Sequence, residues 1–154
     1  MTRGARGALA PTIATVAGSI AALAGALLPW LRTGQARRSA FALARSADAL
    51  GFVDTPLRRT LVILWYLVPF ATAVVWTAAV LKQPVLVVAA GAMVGSLSIA
   101  AAWIYLTLAD PGEPGPAVAL TAGLVTVASA GWLAWSLKSR AAAAAPMEGV
   151  GHER

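Results

Sequence analysis

The side chains here that could do chemistry are few, and their spacing does not suit it. Asp48 and Asp54 are the only carboxylates near the one long polar segment, with Arg45 close by in sequence. A carboxylate pair doing acid–base work needs one acid held protonated, the other ionised and a water or metal between them. Two aspartates six residues apart, separated by Gly51 and with no histidine nearby, do not supply this. Asp54 suits a turn or cap, and Asp48 suits an i, i+3 partner for Arg45 worth about 0.2–0.5 kcal/mol. The single histidine, His152, sits in the polar C-terminal tail. With no cysteine in the chain, thiolate metal sites and thiol catalysis are excluded. These residues argue against an enzyme and imply no cofactor and no metal.

The elements that must carry these residues are four apolar runs without a charged side chain, at about 9–31, 60–81, 84–108 and 116–137. Each meets the ~20 residues that cross a ~30 Å hydrocarbon core at 1.5 Å per residue. A mean hydropathy of +0.75 fits that reading, and so does a 12% share of charged residues, against about 25% in soluble domains. The predicted fold class is therefore an all-α integral membrane protein, with four transmembrane helices in an antiparallel bundle. Residues 1–140 would form the membrane domain, with the first run an uncleaved span, and 141–154 a flexible tail. Proton or ion pathways normally leave ionisable residues inside a span; these runs have none.

The net charge of +6 comes from residues flanking the runs. Such arginines anchor spans and set topology, and no basic face with stacking aromatics points to nucleic acid. The first loop, 32–59, is the conspicuous one. At 100° per residue, Arg37, Arg38 and Arg45 gather on one side of an amphipathic interfacial helix predicted over Arg37–Leu50, with Leu43, Ala47 and Leu50 opposite. Phe41 falls on the charged side and breaks the pattern. These three arginines are the candidate contacts to anionic lipid or to another membrane protein. Asp54-Thr55-Pro56 reads as a helix start, and Pro69 predicts a kink near Val68. Lys82-Gln83 leaves room only for a tight hairpin between the second and third runs.

Lipid tails are as apolar as leucine, so helices in a bilayer associate through close packing of small residues. Gly18 and Gly25 in the first run, Gly91 and Gly95 in the third and Gly123 in the fourth are the predicted packing positions. Gly131 extends the fourth run's stripe from Ala119 and Gly123. Gly91-x-x-x-Gly95 reads as packing within the bundle rather than as a homo-oligomer face. Span hydroxyls should bond their own helix carbonyls.

Lysines and arginines tie at six on each side of the membrane. Every connection except the first loop votes for both termini in the cytoplasm. Trp30, Trp65, Tyr66, Trp103 and Tyr105 would then form an outer interfacial belt, and Trp76, Trp132 and Trp135 an inner one.

The stretch Leu28-Pro29-Trp30-Leu31-Arg32-Thr33-Gly34, with Arg38-Ser39, Leu50-Gly51 and Trp65-Tyr66-Leu67-Val68-Pro69, resembles small four-span membrane proteins of unknown function from high-GC Gram-positive bacteria. The resemblance covers the first half. It implies that the Leu-Pro-Trp end faces outward and supplies no activity and no site residue. The functional expectation is a non-catalytic accessory, scaffold or lipid-interacting component of the plasma membrane. The alternative is a small transporter or channel component acting as an oligomer.

Overall fold

A computed structural model describes residues 3–33, 36–49, 56–108 and 112–144. Its helices are α1 (Arg3–Leu27), α2 (Ala40–Ala49), α3 (Pro56–Tyr66), α4 (Val68–Val80), α5 (Pro84–Leu108) and α6 (Pro114–Ala144). Between α1 and α2 lie two strands, β1 (Pro29–Thr33) and β2 (Ala36–Ser39). Among the described residues three stretches, Ala8–Leu27, Pro84–Leu106 and Pro114–Ala143, are long and apolar enough to cross a membrane.

The second apolar run is divided. Pro69 offers no N–H to the Trp65 carbonyl, and its ring crowds that turn. The chain responds at Leu67, whose N–H bonds Leu64 O at 3.0 Å, while Leu67 O accepts from Ala71 N–H at 2.9 Å. The 13 residues of α4 reach only about 20 Å at 1.5 Å per residue. In place of one continuous helix over 60–81 stand two short ones.

The first run is also shorter than expected, and the purely helical reading needs correction. Leu28 N–H makes the last helical bond, to Ala24 O at 3.0 Å, and Pro29 then opens an antiparallel ladder. Its register pairs Pro29 with Ser39, Leu31 with Arg38, Arg32 with Arg37 and Thr33 with Ala36, so Trp30 is bulged out. The predicted helix over Arg37–Leu50 starts at Ala40 instead, because Ser39 is its cap: Ser39 Oγ accepts the Ala42 N–H at 3.4 Å. At the other end of the chain α6 continues through residues 141–144, which had been assigned to the tail. The rest of that tail, 145–154, and Asp54 and Thr55 lie outside the described residues.

Burial recurs at alternating spacings of four and three. In α1 the buried positions include Pro11, Thr15, Gly18, Ala22 and Gly25; in α6 they include Ala119, Ala122, Thr126, Ser129 and Leu133. A strict four-residue stripe winds about 40° around a helix per step, which is why Gly131 leaves the interface. Its missing Cβ would meet nothing within 4 Å. Helices α1, α5 and α6 form the tightest set, α4 lies against α5 and α1, and α3 touches mainly α2 and α4. The interior is mostly small residues, while Phe70, Val80, Trp103, Leu124, Trp132 and Trp135 stand exposed on the perimeter. A soluble protein would invert that arrangement. It is consistent with a membrane location.

Candidate functional site

The predicted arginines do not share a helix face. Arg37 and Arg38 lie on β2 and Arg45 on α2, all exposed. The fold still brings two of the segments together. Arg38 Nη1 donates to Ser46 Oγ at 3.1 Å, and that hydroxyl donates to Ala42 O at 2.9 Å. Arg32 faces Arg37 across the ladder, and opposed like charges weaken a strand pair. The hairpin and α2 therefore concentrate cationic groups in a collar at one end of the bundle, where α1 and α5 end and α6 begins.

Beneath the collar is an apolar pocket of about 390 Å³, within the range of ligand sites. Ala40, Leu43 and Ala44 wall it from α2, and Val62 and Trp65 from α3. Leu97, Ala101, Ile104 and Tyr105 wall it from α5, with Trp30 from β1. The bulge turns the Trp30 indole inward, where its Nε1 donates to Gly25 O at 2.8 Å. Trp65, one turn before Pro69, stands edge-on to Trp30 at 5.9 Å. Tyr105 meets the same Trp30 ring at 5.4 Å. Phe41, the misfit of the amphipathic pattern, packs 5.9 Å from Trp65 and 6.1 Å from Tyr66.

Trp65 is 6% exposed, and its Nε1 finds no acceptor among the described residues. Leaving such a donor unmet costs roughly 1–3 kcal/mol. Trp30 and Trp65 are thus not outward-facing members of an interfacial belt; they are buried walls. The sequence signals that could have found this are Trp30 directly after Pro29 and Trp65 four residues before Pro69, each beside a helix breaker.

The predicted glycines sit at helix contacts. A Cβ on Gly25 would lie 2.7 Å from Ala119 N and 2.9 Å from its Cα, and one on Gly18 would lie 2.5 Å from Thr126 Oγ1. Gly95 and Gly123 face each other, each missing Cβ pointing at the other's carbonyl oxygen, at 2.8 and 2.9 Å. A Cβ on Gly91 would lie 2.5 Å from the Thr15 Cγ2 methyl, a side chain rather than backbone. Gly115 seats the start of α6 directly on the Trp30 ring. Span hydroxyls bond backwards along their helices, as Thr72 does to Val68 O at 2.9 Å and Ser98 to Val94 O at 2.8 Å. One pair also meets between helices: Thr15 Oγ1 and Ser129 Oγ stand 3.0 Å apart, and each lies 2.8 Å from a carbonyl oxygen of its own helix, Pro11 O and Val125 O.

What the arrangement offers is an apolar recess, a buried indole N–H and a rim of guanidinium groups. Comparison with protein-family models, curated proteins and solved structures found no match for this chain.

Proposed function

We propose that this is a non-catalytic, four-pass component of the plasma membrane that gathers anionic lipid around its basic collar. Helices α1, α5 and α6 would each span the bilayer, and the broken α3–α4 unit would complete the fourth pass. Both termini would lie in the cytoplasm, with the collar at the outer surface.

The observation that carries this reading is the joint placement of Arg37, Arg38 and Arg45 at one end of an apolar-sided bundle. Guanidinium groups at the headgroup level attract anionic lipid by about 1 kcal/mol each, and their forks suit phosphate oxygens. An acidic patch on another membrane protein would meet the same charges. The apolar perimeter beside them favours lipid as the first neighbour.

The test is a triple substitution, Arg37→Gln, Arg38→Gln and Arg45→Gln, in vesicles containing phosphatidylglycerol and phosphatidylcholine. The variant should insert normally but lose roughly 3 kcal/mol of preference for phosphatidylglycerol, about a hundredfold. Raising salt should weaken the same preference in the unmodified protein, since exposed charges are screened over about 10 Å at 0.1 M. Equal lipid enrichment around both proteins would rule the reading out.

A further inference from the structure

We infer that the pocket below α2 holds one acyl chain of an anionic phospholipid, with that lipid's phosphate on Arg38 and Arg45. This deepens the collar reading and rests on it.

Three observations converge on this occupant. The pocket is walled by apolar side chains, so its contents must be hydrocarbon for most of their length. Its volume of about 390 Å³ is the bulk of one long acyl chain and well short of two. Ile104, one of its walls, is exposed on the bundle's perimeter, so the recess opens where a lipid would lie.

Two exposed arginines adjoin the pocket's walls. Arg45 follows the pocket wall Ala44 directly along α2, and Arg38 is tied to Ser46, one residue further on, at 3.1 Å. Trp65 contributes a donor whose N–H has no acceptor among the described residues. That donor is closed off from open space, so an ester carbonyl, the first polar group above an acyl chain, reaches it only if the indole shifts as the chain seats. A sterol or carotenoid would fill hydrocarbon space but bring neither phosphate nor ester. A free fatty acid would bring the chain and a charge but no ester.

The test is native mass spectrometry of the full chain, stripped of lipid in mild detergent and titrated with phosphatidylglycerols of increasing chain length. Affinity should rise at least tenfold from hexanoyl to palmitoyl chains, with one tight lipid per chain. Ala101→Phe, which fills the recess, should abolish that gain while the salt-sensitive association with short-chain phosphatidylglycerol persists. Ala44→Phe fills the same space from α2 and serves if the first variant does not fold. Chain-length-independent binding by the unmodified protein overturns the pocket assignment and leaves the collar reading intact. Loss of all preference for phosphatidylglycerol over phosphatidylcholine, at every chain length, overturns the collar reading itself. Palmitate binding as tightly as dipalmitoyl phosphatidylglycerol overturns the phospholipid assignment in favour of a fatty acid.

Discussion

At the scale of single residues, the glycines are not equivalent, and the geometry ranks them. Gly25 and Gly123 each press on a neighbour's backbone, which cannot move aside without moving its helix. Gly25→Leu and Gly123→Leu should each cost about 1–3 kcal/mol by overpacking. Gly131→Leu should stay within about 0.5 kcal/mol, since nothing lies within 4 Å of that position. Reversible unfolding in mixed detergent measures all three, and a cost at Gly131 matching that at Gly25 would contradict the packing. The Thr15–Ser129 bond belongs to the same scale. A double-mutant cycle with alanine at both positions should give a coupling of about 0.6 kcal/mol, the average for such bonds in membranes. Small residues at helical spacing were legible in the sequence because they are the currency of packing in lipid. Which of them touch was not, since a four-residue stripe drifts off an interface that follows a four-and-three rhythm. Gly115 shows the other limit: its role depends on Trp30, far away along the chain.

At the scale of elements, breakers were read more reliably than lengths. Pro69 was legible as a bend because its missing N–H acts locally. That the two halves would behave as separate helices was not, because it depends on what each half packs against. Helix α3 rests mainly on α2 and α4, whereas α1, α5 and α6 enclose one another. Amide hydrogen exchange in nanodiscs should therefore find α3 opening well before α5 and α6, and equal protection would show that α3 has packing partners beyond these. The hairpin escaped the sequence reading for a related reason. Arg37-Arg38 fits the polar side of a helix as well as it fits a strand, and only pairing with Leu31 and Arg32 decides between them. Ser39 was the available clue, a good N-cap placed just before Ala40.

At the scale of the whole molecule, the reading to test is the number and direction of passes. Single cysteines at Ala36, Gln83, Gly112 and Ser139, all exposed in this cysteine-free chain, report it. Ala36 is preferable to Ser39, whose hydroxyl caps α2. In intact cells an impermeant thiol reagent should label Ala36→Cys and Gly112→Cys. It should reach Gln83→Cys and Ser139→Cys only after lysis. The reverse pattern would invert the orientation, and labelling of positions 36 and 112 from opposite sides would break the four-pass count. The helical class and three helices long and apolar enough to cross a membrane were legible, because runs of about twenty uncharged apolar residues have few other uses. The pocket was not legible, because it is assembled from four elements and its aromatic walls look, in sequence, like residues of a membrane surface.

The two-residue join between α4 and α5 has a consequence for how the chain is made. Lys82 takes a left-handed φ of 56°, and Gln83 N–H closes the corner on Ala78 O at 2.8 Å. In the four-pass arrangement proposed above, the 13 residues of α4 are too few to cross the bilayer without α3. In that arrangement it would enter the bilayer together with α5, 25 residues long, as a hairpin. A flexible glycine–serine stretch inserted after Lys82 would uncouple them. Nascent chains carrying it should stall with α4 on the wrong side of the membrane, while α5 integrates as before.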